Sequence, residues 1–157
     1  LYERLIFSIC LSFTKNYFDA EDLAQETFLS ANRNIDKFDG RNLKAWLTTI
    51  AANKCRDFLK SSARNSNSRL SEVNLMYIQD KRGSPEELVM KNEINQRVYK
   101  LCLRLKEPYK NIAIKYFCEN MKLSDVARDT GKNLKTLQTQ LYRAKKLLKA
   151  LWKEEPF

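Results

Sequence analysis

Apolar residues recur at three- and four-residue steps along nearly all of this 157-residue chain, and glycine and proline number only three each. That spacing lines one face of an α-helix, and so few chain breakers leave little material for the tight turns of a sheet. The pattern predicts an all-α protein. A first helix over about Leu1 to Thr14 repeats Leu5, Ile6, Ile9, Cys10 and Phe13 and ends near Lys15-Asn16. Asp19, with Asp22 three residues on, is placed to cap a second helix whose inner stripe is Leu23, Ala24, Thr27, Phe28 and Ala31. After the loop Asp36-Lys-Phe-Asp-Gly40, a third helix sets Leu43, Trp46, Leu47, Ile50, Ala51, Phe58 and Leu59 on one side. Three such stripes can share one core, so residues 1–60 read as a small helical domain. The chain opens on Leu1-Tyr-Glu-Arg, already helix interior and without a methionine, so some N-terminal sequence is expected to be missing.

From Ser61 to about Ser84 the periodicity fails, and the run SSARNSNSR is too polar to bury, which predicts a flexible linker over residues 61–84. The island Leu75-Met-Tyr-Ile78 within it reads equally as a docking segment or as a stray packed turn. Ser84-Pro85-Glu86-Glu87 combines a serine cap, a first-turn proline and a glutamate at the third position, so a second domain spans 85–157. Its first helix carries Leu88, Ile94, Val98, Leu101 and Leu105, and Pro108 opens another with Tyr109, Ile112, Ala113, Tyr116 and Phe117. Leu123-Ser-Asp-Val-Ala-Arg-Asp-Thr-Gly131 then reads as a short helix closed by glycine. The run KNLKTLQTQLYRAKKLLK over 132–149 follows it as a long helix with no acidic residue. Leu134, Leu137, Leu141, Ala144 and Leu148 form its back, while Lys135, Gln138, Thr139, Tyr142 and Lys146 fall about half a turn away. Short helix, glycine turn and basic helix together make a helix-turn-helix pattern, whose second helix lies in a DNA major groove.

The formal charge of +10 points to a polyanionic partner, and its distribution says which part meets it. Residues 1–60 hold nine Lys and Arg against eight Asp and Glu, 61–90 balance at four and four, and 91–157 hold sixteen against seven. The second domain is therefore the electrostatic nucleic-acid candidate, and the first must act by other means. Cys10, Cys55, Cys102 and Cys118 include no CxxC pair, and there is no histidine to complete a mixed zinc site. They read as reduced, mostly buried small apolar residues of a cytosolic protein, with no metal and no disulfide framework. There is no run of eighteen apolar residues and no signal-peptide pattern, so a soluble, cytoplasmic protein is expected. No glycine-rich phosphate loop and no convergent carboxylate pair near a nucleophile assemble a reaction centre, so no catalytic residue, cofactor or small-molecule substrate is assigned.

The segment Asp19-Ala-Glu-Asp-Leu-Ala-Gln-Glu-Thr-Phe28 leaves Asp22, Gln25, Glu26 and Leu29 on the outward side of its helix. By physics alone this is either a solvated face or a contact for a partner carrying basic residues. That segment, followed by Phe38-Asp-Gly40, Leu43-Lys-Ala-Trp-Leu47 and Ile50-Ala-Ala-Asn53, resembles the second conserved region of the extracytoplasmic-function sigma factors of bacterial RNA polymerase. The Ser84-Pro-Glu-Glu start and the Leu141-Tyr-Arg-Ala-Lys-Lys-Leu147 end resemble that family's fourth region. Two such motifs in this order cover almost the whole chain.

The resemblance implies a protein that binds core polymerase, recognises the minus-ten and minus-thirty-five promoter elements and directs initiation. It assigns contact with the clamp-helix coiled coil of the largest polymerase subunit to Asp22, Gln25 and Glu26, with Leu29 beside them. It makes Arg41, Asn42 and Lys44 candidates for phosphate and base-edge contacts to the displaced minus-ten strand. Asn53 would hydrogen-bond an extruded base and Arg56 hold phosphates. In the minus-thirty-five site, Lys135 and Arg143 would meet phosphates, with Lys146 on the same basic front. Gln138, Thr139 and Tyr142 would reach base edges or a thymine methyl. Members of the family are commonly held by an anti-sigma factor, often membrane-anchored, and the linker permits such a partner.

Trp46 lies in the apolar stripe and reads as core, leaving Phe38 and Tyr17 as base-stacking candidates. The chain departs from the family pattern at Gln138 and Gln140, where cations are common. It departs also at Leu134 and Lys135, which replace small turn residues, and at Lys122, where the preceding helix is normally capped. Glutamine favours adenine, so the promoter preference need not be the common one. A stand-alone helix-turn-helix regulator is the alternative, but it leaves the DLAQETF segment and the Phe38 to Asn53 block unexplained.

Overall fold

The computed structural model describes residues 1–65 and 85–155, and every regular element among them is helical. The chain divides into two compact units, Leu1–Asp80 and Lys81–Phe157. Among the described residues no helix is long and apolar enough to cross a membrane.

In the first unit, α1 (Glu3–Thr14), α2 (Tyr17–Arg33) and α3 (Leu43–Asn65) each touch the other two. Their stripes meet in one core: Ile6, Ile9, Cys10 and Phe13 from α1, Ala20, Leu23, Ala24 and Ala31 from α2, Leu47, Ala51 and Cys55 from α3. Lys15 ends α1 in the left-handed region at φ 54°. Asn16 then starts α2, its side-chain oxygen accepting from the Phe18 N–H at 3.1 Å. Asn16, and not Asp19, is thus the cap; Asp19 is buried in the first turn, where the helix dipole favours a carboxylate. Fully buried Thr27 donates its hydroxyl proton to the Leu23 carbonyl at 2.7 Å, which removes the cost of burying it. Helix α3 runs to Asn65, so residues 61–65, expected to open the linker, are helical instead. Nothing in Ser-Ser-Ala-Arg-Asn breaks a helix, so the backbone carries on past the apolar stripe. The rest of the expected linker, with the Leu75–Ile78 island and the Ser84 cap, lies outside the described residues.

In the second unit, α4 (Pro85–Leu103) begins on the expected first-turn proline. Then come α5 (Tyr109–Ala113), which continues into a π-helical turn (Ile114–Cys118), α6 (Leu123–Thr130) and α7 (Leu134–Glu154). Helix α7 touches α4, α5 and α6, and its buried row Leu137, Leu141, Ala144, Leu148 and Trp152 is the spine of a core shared with Val98, Leu101, Ile112, Phe117 and Val126. Arg97 closes the far end: its guanidinium lies 3.7 Å from the centroid of the Trp152 ring and donates to the Trp152 carbonyl at 2.9 Å and to the Glu155 carbonyl. Carbonyls that end a helix without internal partners are satisfied this way. Arg104 adds a 2.6 Å ion pair with Glu155, half-exposed and so of modest weight.

All four cysteines are free; Cys10, Cys55 and Cys102 are buried and Cys118 half-buried. Cys10 hydrogen-bonds Cys55, which with burial pushes its thiol up. Burial also raises Cys102, whose thiol meets that of Cys118. Cys118 is raised as well, by burial first.

Two outcomes follow from this packing. Asn16→Ala lowers unfolding stability in urea by about 1 kcal/mol, the ordinary cost of a lost cap. A raised thiol pKa leaves less thiolate at any given pH, so at pH 8 iodoacetamide labels native Cys118 more slowly than a cysteine in the unfolded chain, and Cys102 more slowly still. Mass spectrometry of the labelled chain reads both rates.

Candidate functional site

The outward face of α2 is what the core leaves over. With Leu23, Ala24, Thr27 and Ala31 turned inward, Gln25, Glu26 and Leu29 are exposed and Asp22 is half-buried, a single strip at steps of three, one and three. Leu29 is 56% exposed, and Ile35, in the 3-10 turn Ile35–Lys37 just past the helix, is 52% exposed. Gln25 also donates to Glu21 at 3.4 Å, so the strip is a small acidic and amide patch with an apolar end. Ile35 and Glu21 were not among the residues expected here; an apolar residue placed after the helix stripe had ended was the available signal for Ile35.

The second face starts in the loop before α3. Gly40 sits at φ +80°, which L-residues rarely adopt, and this lets the Asp39 carboxylate accept the Arg41 N–H at 3.0 Å across the turn. Asn42 follows and caps α3, its side-chain oxygen accepting from the Ala45 N–H at 3.0 Å. Asn42, Thr49, Asn53 and Arg56 then fall on one line along the exposed side of α3, opposite Leu47, Ala51 and Cys55. Arg56 donates to the Asn53 side-chain oxygen at 3.3 Å. Four of the five expected minus-ten residues, Arg41, Asn42, Asn53 and Arg56, are therefore exposed on one face. The fifth, Lys44, is exposed but projects roughly 200° round the helix from Asn42, and the structure does not bring it together with them.

Trp46, expected in the core, is half-buried at the seam between the two sides: it packs against the core cluster and its ring lies 4.9 Å from that of Phe38 at 31°. Leu43, assigned to the same stripe, is 39% exposed as the first residue of α3, a turn before Leu47 enters the core. Tyr17 packs edge-on against Phe7, with ring centroids 5.3 Å apart. Beside the Phe38–Trp46 pair lies a shallow cleft of about 360 Å³ lined by Lys37, Asp39, Arg41, Asn42, Trp46 and Thr49. Lys37, Asp39 and Thr49 were not singled out from sequence; only the fold brings them together.

The third face is α7. Gly131 ends α6 at φ 69°, and Asn133 caps α7 by accepting the Lys135 N–H at 2.8 Å, so three residues separate the helices. Lys122 precedes α6 and makes no capping bond through its side chain. Lys135, Gln138, Thr139, Tyr142, Arg143 and Lys146 are all exposed, Tyr142 to 69%. Lys135, Thr139, Tyr142 and Lys146 make one row, flanked by Gln138 on one side and Arg143 on the other. Thr139 donates its hydroxyl proton to the Lys135 carbonyl at 3.1 Å, which leaves its exposed hydroxyl only acceptor lone pairs. Gln140 is not part of this front: it is half-buried and its side-chain oxygen is buried without a hydrogen-bond partner. Among the described residues no three metal-ligating side chains cluster.

A family model described as sigma-70 region 2 matches residues 1–65. The ECF RNA polymerase sigma factor SigW of Bacillus subtilis (strain 168) is 26% identical over 156 residues, covering 95% of this chain and 83% of that protein. The ECF RNA polymerase sigma factor BldN of Streptomyces coelicolor is 34% identical over 134 residues, 84% of this chain, which spans half the length of that protein. Among solved structures, the sigma factor RpoE in complex with the anti-sigma factor NepR from Bartonella quintana aligns with a TM-score of 0.40 at 23% identity, covering 98% of this chain and 92% of that one. The first unit carries the region 2 match and the named relatives align with most of both units, so the chain belongs to the extracytoplasmic-function sigma factors of the sigma-70 family.

Proposed function

We propose that this chain carries core RNA polymerase to particular promoters, gripping the enzyme through α2 and the DNA through α3 and α7, without chemistry of its own. The observation that carries the reading is the strip Asp22, Gln25, Glu26 and Leu29, held outward on a helix whose other side is core. Carboxylates and an amide at that spacing accept from arginines on a facing coiled coil, and Leu29 supplies an apolar anchor beside them. Gln25, Glu26 and Leu29 of this strip are exposed and add little to the core, so a partner accounts for them.

The basic unit fits the duplex. The row Lys135, Thr139, Tyr142 and Lys146 would lie in the major groove of the minus-thirty-five element, with Arg143 on phosphate and Gln138 reaching a base edge. The α3 face, with Arg41, Asn42, Asn53 and Arg56, would take the displaced minus-ten strand. Neither contact has to be tight, since tethering two modest sites in one chain raises the effective concentration of each. The chain would act in the cytoplasm, and an anti-sigma factor, in this family often membrane-anchored, would hold it off the polymerase until a signal releases it.

Charge reversal on α2 tests the grip. Glu26 is exposed, so Glu26→Lys leaves stability nearly unchanged. It weakens capture of core polymerase by at least about tenfold, as expected when a buried interfacial charge pair is inverted. Affinity of the full chain for a minus-thirty-five duplex stays within about twofold. Undiminished capture overturns the assignment of α2, and a parallel loss of duplex binding means that the substitution acts through the fold.

A further inference from the structure

In the cleft at the start of α3, each of three side chains has one hydrogen-bonding group already committed. Asn42 has committed one lone pair of its side-chain oxygen to the Ala45 N–H at 3.0 Å, while its amide N–H groups can still donate. Thr49 has given its proton to the Ala45 carbonyl at 2.9 Å and retains only acceptor lone pairs. Lys37 and Arg41 can only donate. One oxygen of Asp39 takes the Arg41 N–H at 3.0 Å, and the other is the strongest acceptor left among the residues lining the cleft. The carboxylate of Asp39 is thus a stronger acceptor for a base edge than the half-committed Asn42 oxygen or the Thr49 hydroxyl.

A carboxylate here is out of keeping with a surface built to hold a polyanion. Its charge repels phosphates, which Lys37, Arg41 and Arg56 attract, so what faces Asp39 favourably is a base edge that brings an N–H group. Cytosine, adenine and guanine each carry an exocyclic amino group. Thymine has none, and its single N3–H lies between two carbonyl oxygens that the carboxylate repels. We infer that Asp39 is a specificity residue of this site, admitting an amino-bearing base into the cleft and rejecting thymine. The inference rests on the reading of α3 as the face that takes the single strand.

The test uses the full chain assembled with core polymerase, and two pyrimidine strands, dC12 and dT12, whose stacking and backbone are alike. Binding is measured by fluorescence anisotropy against core polymerase alone. The wild type favours dC12 by roughly tenfold, near the low end of the range for one well-made base contact. Asp39→Asn keeps an oxygen for the Arg41 N–H, so the turn is preserved, but adds a donor beside the acceptor; the preference falls within about twofold, mainly by stronger dT12 binding. Arg56→Ala weakens both strands alike. Equal wild-type affinities, or a preference that Asp39→Asn leaves unmoved, overturn the inference while strand binding by α3 stands. If no strand binds above the level of core polymerase alone, the inference fails together with the reading beneath it.

Discussion

Every contact surface of this protein is set by the burial of one stripe per helix. A helix that must bury residues three and four apart has no freedom in what it shows on the other side, because about 100° per residue fixes the opposite face as well. In α3, seating Leu47, Ala51 and Cys55 in the core puts Thr49, Asn53 and Arg56 in solvent in one line. In α7, the row Leu137, Leu141, Ala144, Leu148 and Trp152 does the same for Lys135, Thr139, Tyr142 and Lys146. The core is therefore what aims the functional side chains, and a register shift in any one stripe would disperse a whole face.

Within those faces the helix ends decide what each residue can still do. Asn16, Asn42 and Asn133 each give a side-chain oxygen to a backbone N–H at the start of a helix. Asparagine suits that place because it accepts well at the cap and retains two N–H groups for another use. At Asn42 the cap comes first, and the chemistry it could offer a ligand is the remainder after the helix has been closed. The same subtraction leaves Asp39 as the strongest acceptor of the cleft and the Thr139 hydroxyl as an acceptor only.

Helix identity and the inner stripes were legible in the sequence because periodicity encodes them directly. The start of α4 at Pro85 and the glycine turn at Gly131 were legible for the same reason: each has a local physical signature. The α2 cap was misread because Tyr17 and Phe18 conceal a first turn, and Asp19 satisfies the same local rule as Asn16. The Trp46 seam, the inward turn of Gln140 and the meeting of Cys10 with Cys55 and of Cys102 with Cys118 depend on neighbours distant in sequence, which no local pattern carries. The exposed faces could be named from sequence, but not which of their atoms were already committed, and so Asp39 and Thr49 were given no role while Lys44 was grouped with residues it does not join.

The division between a nearly neutral first unit and a strongly basic second one makes sense if one meets a protein and a melted strand while the other meets a charged duplex. What joins those roles is initiation itself. The most direct measurement is run-off transcription with purified core polymerase, the full chain and a template drawn from upstream of a gene induced when the chain is overproduced. A discrete transcript that depends on the added chain is the predicted result. A folded chain that binds the duplex tightly yet never starts a transcript with that polymerase would contradict the account and mark the protein as a plain DNA-binding regulator.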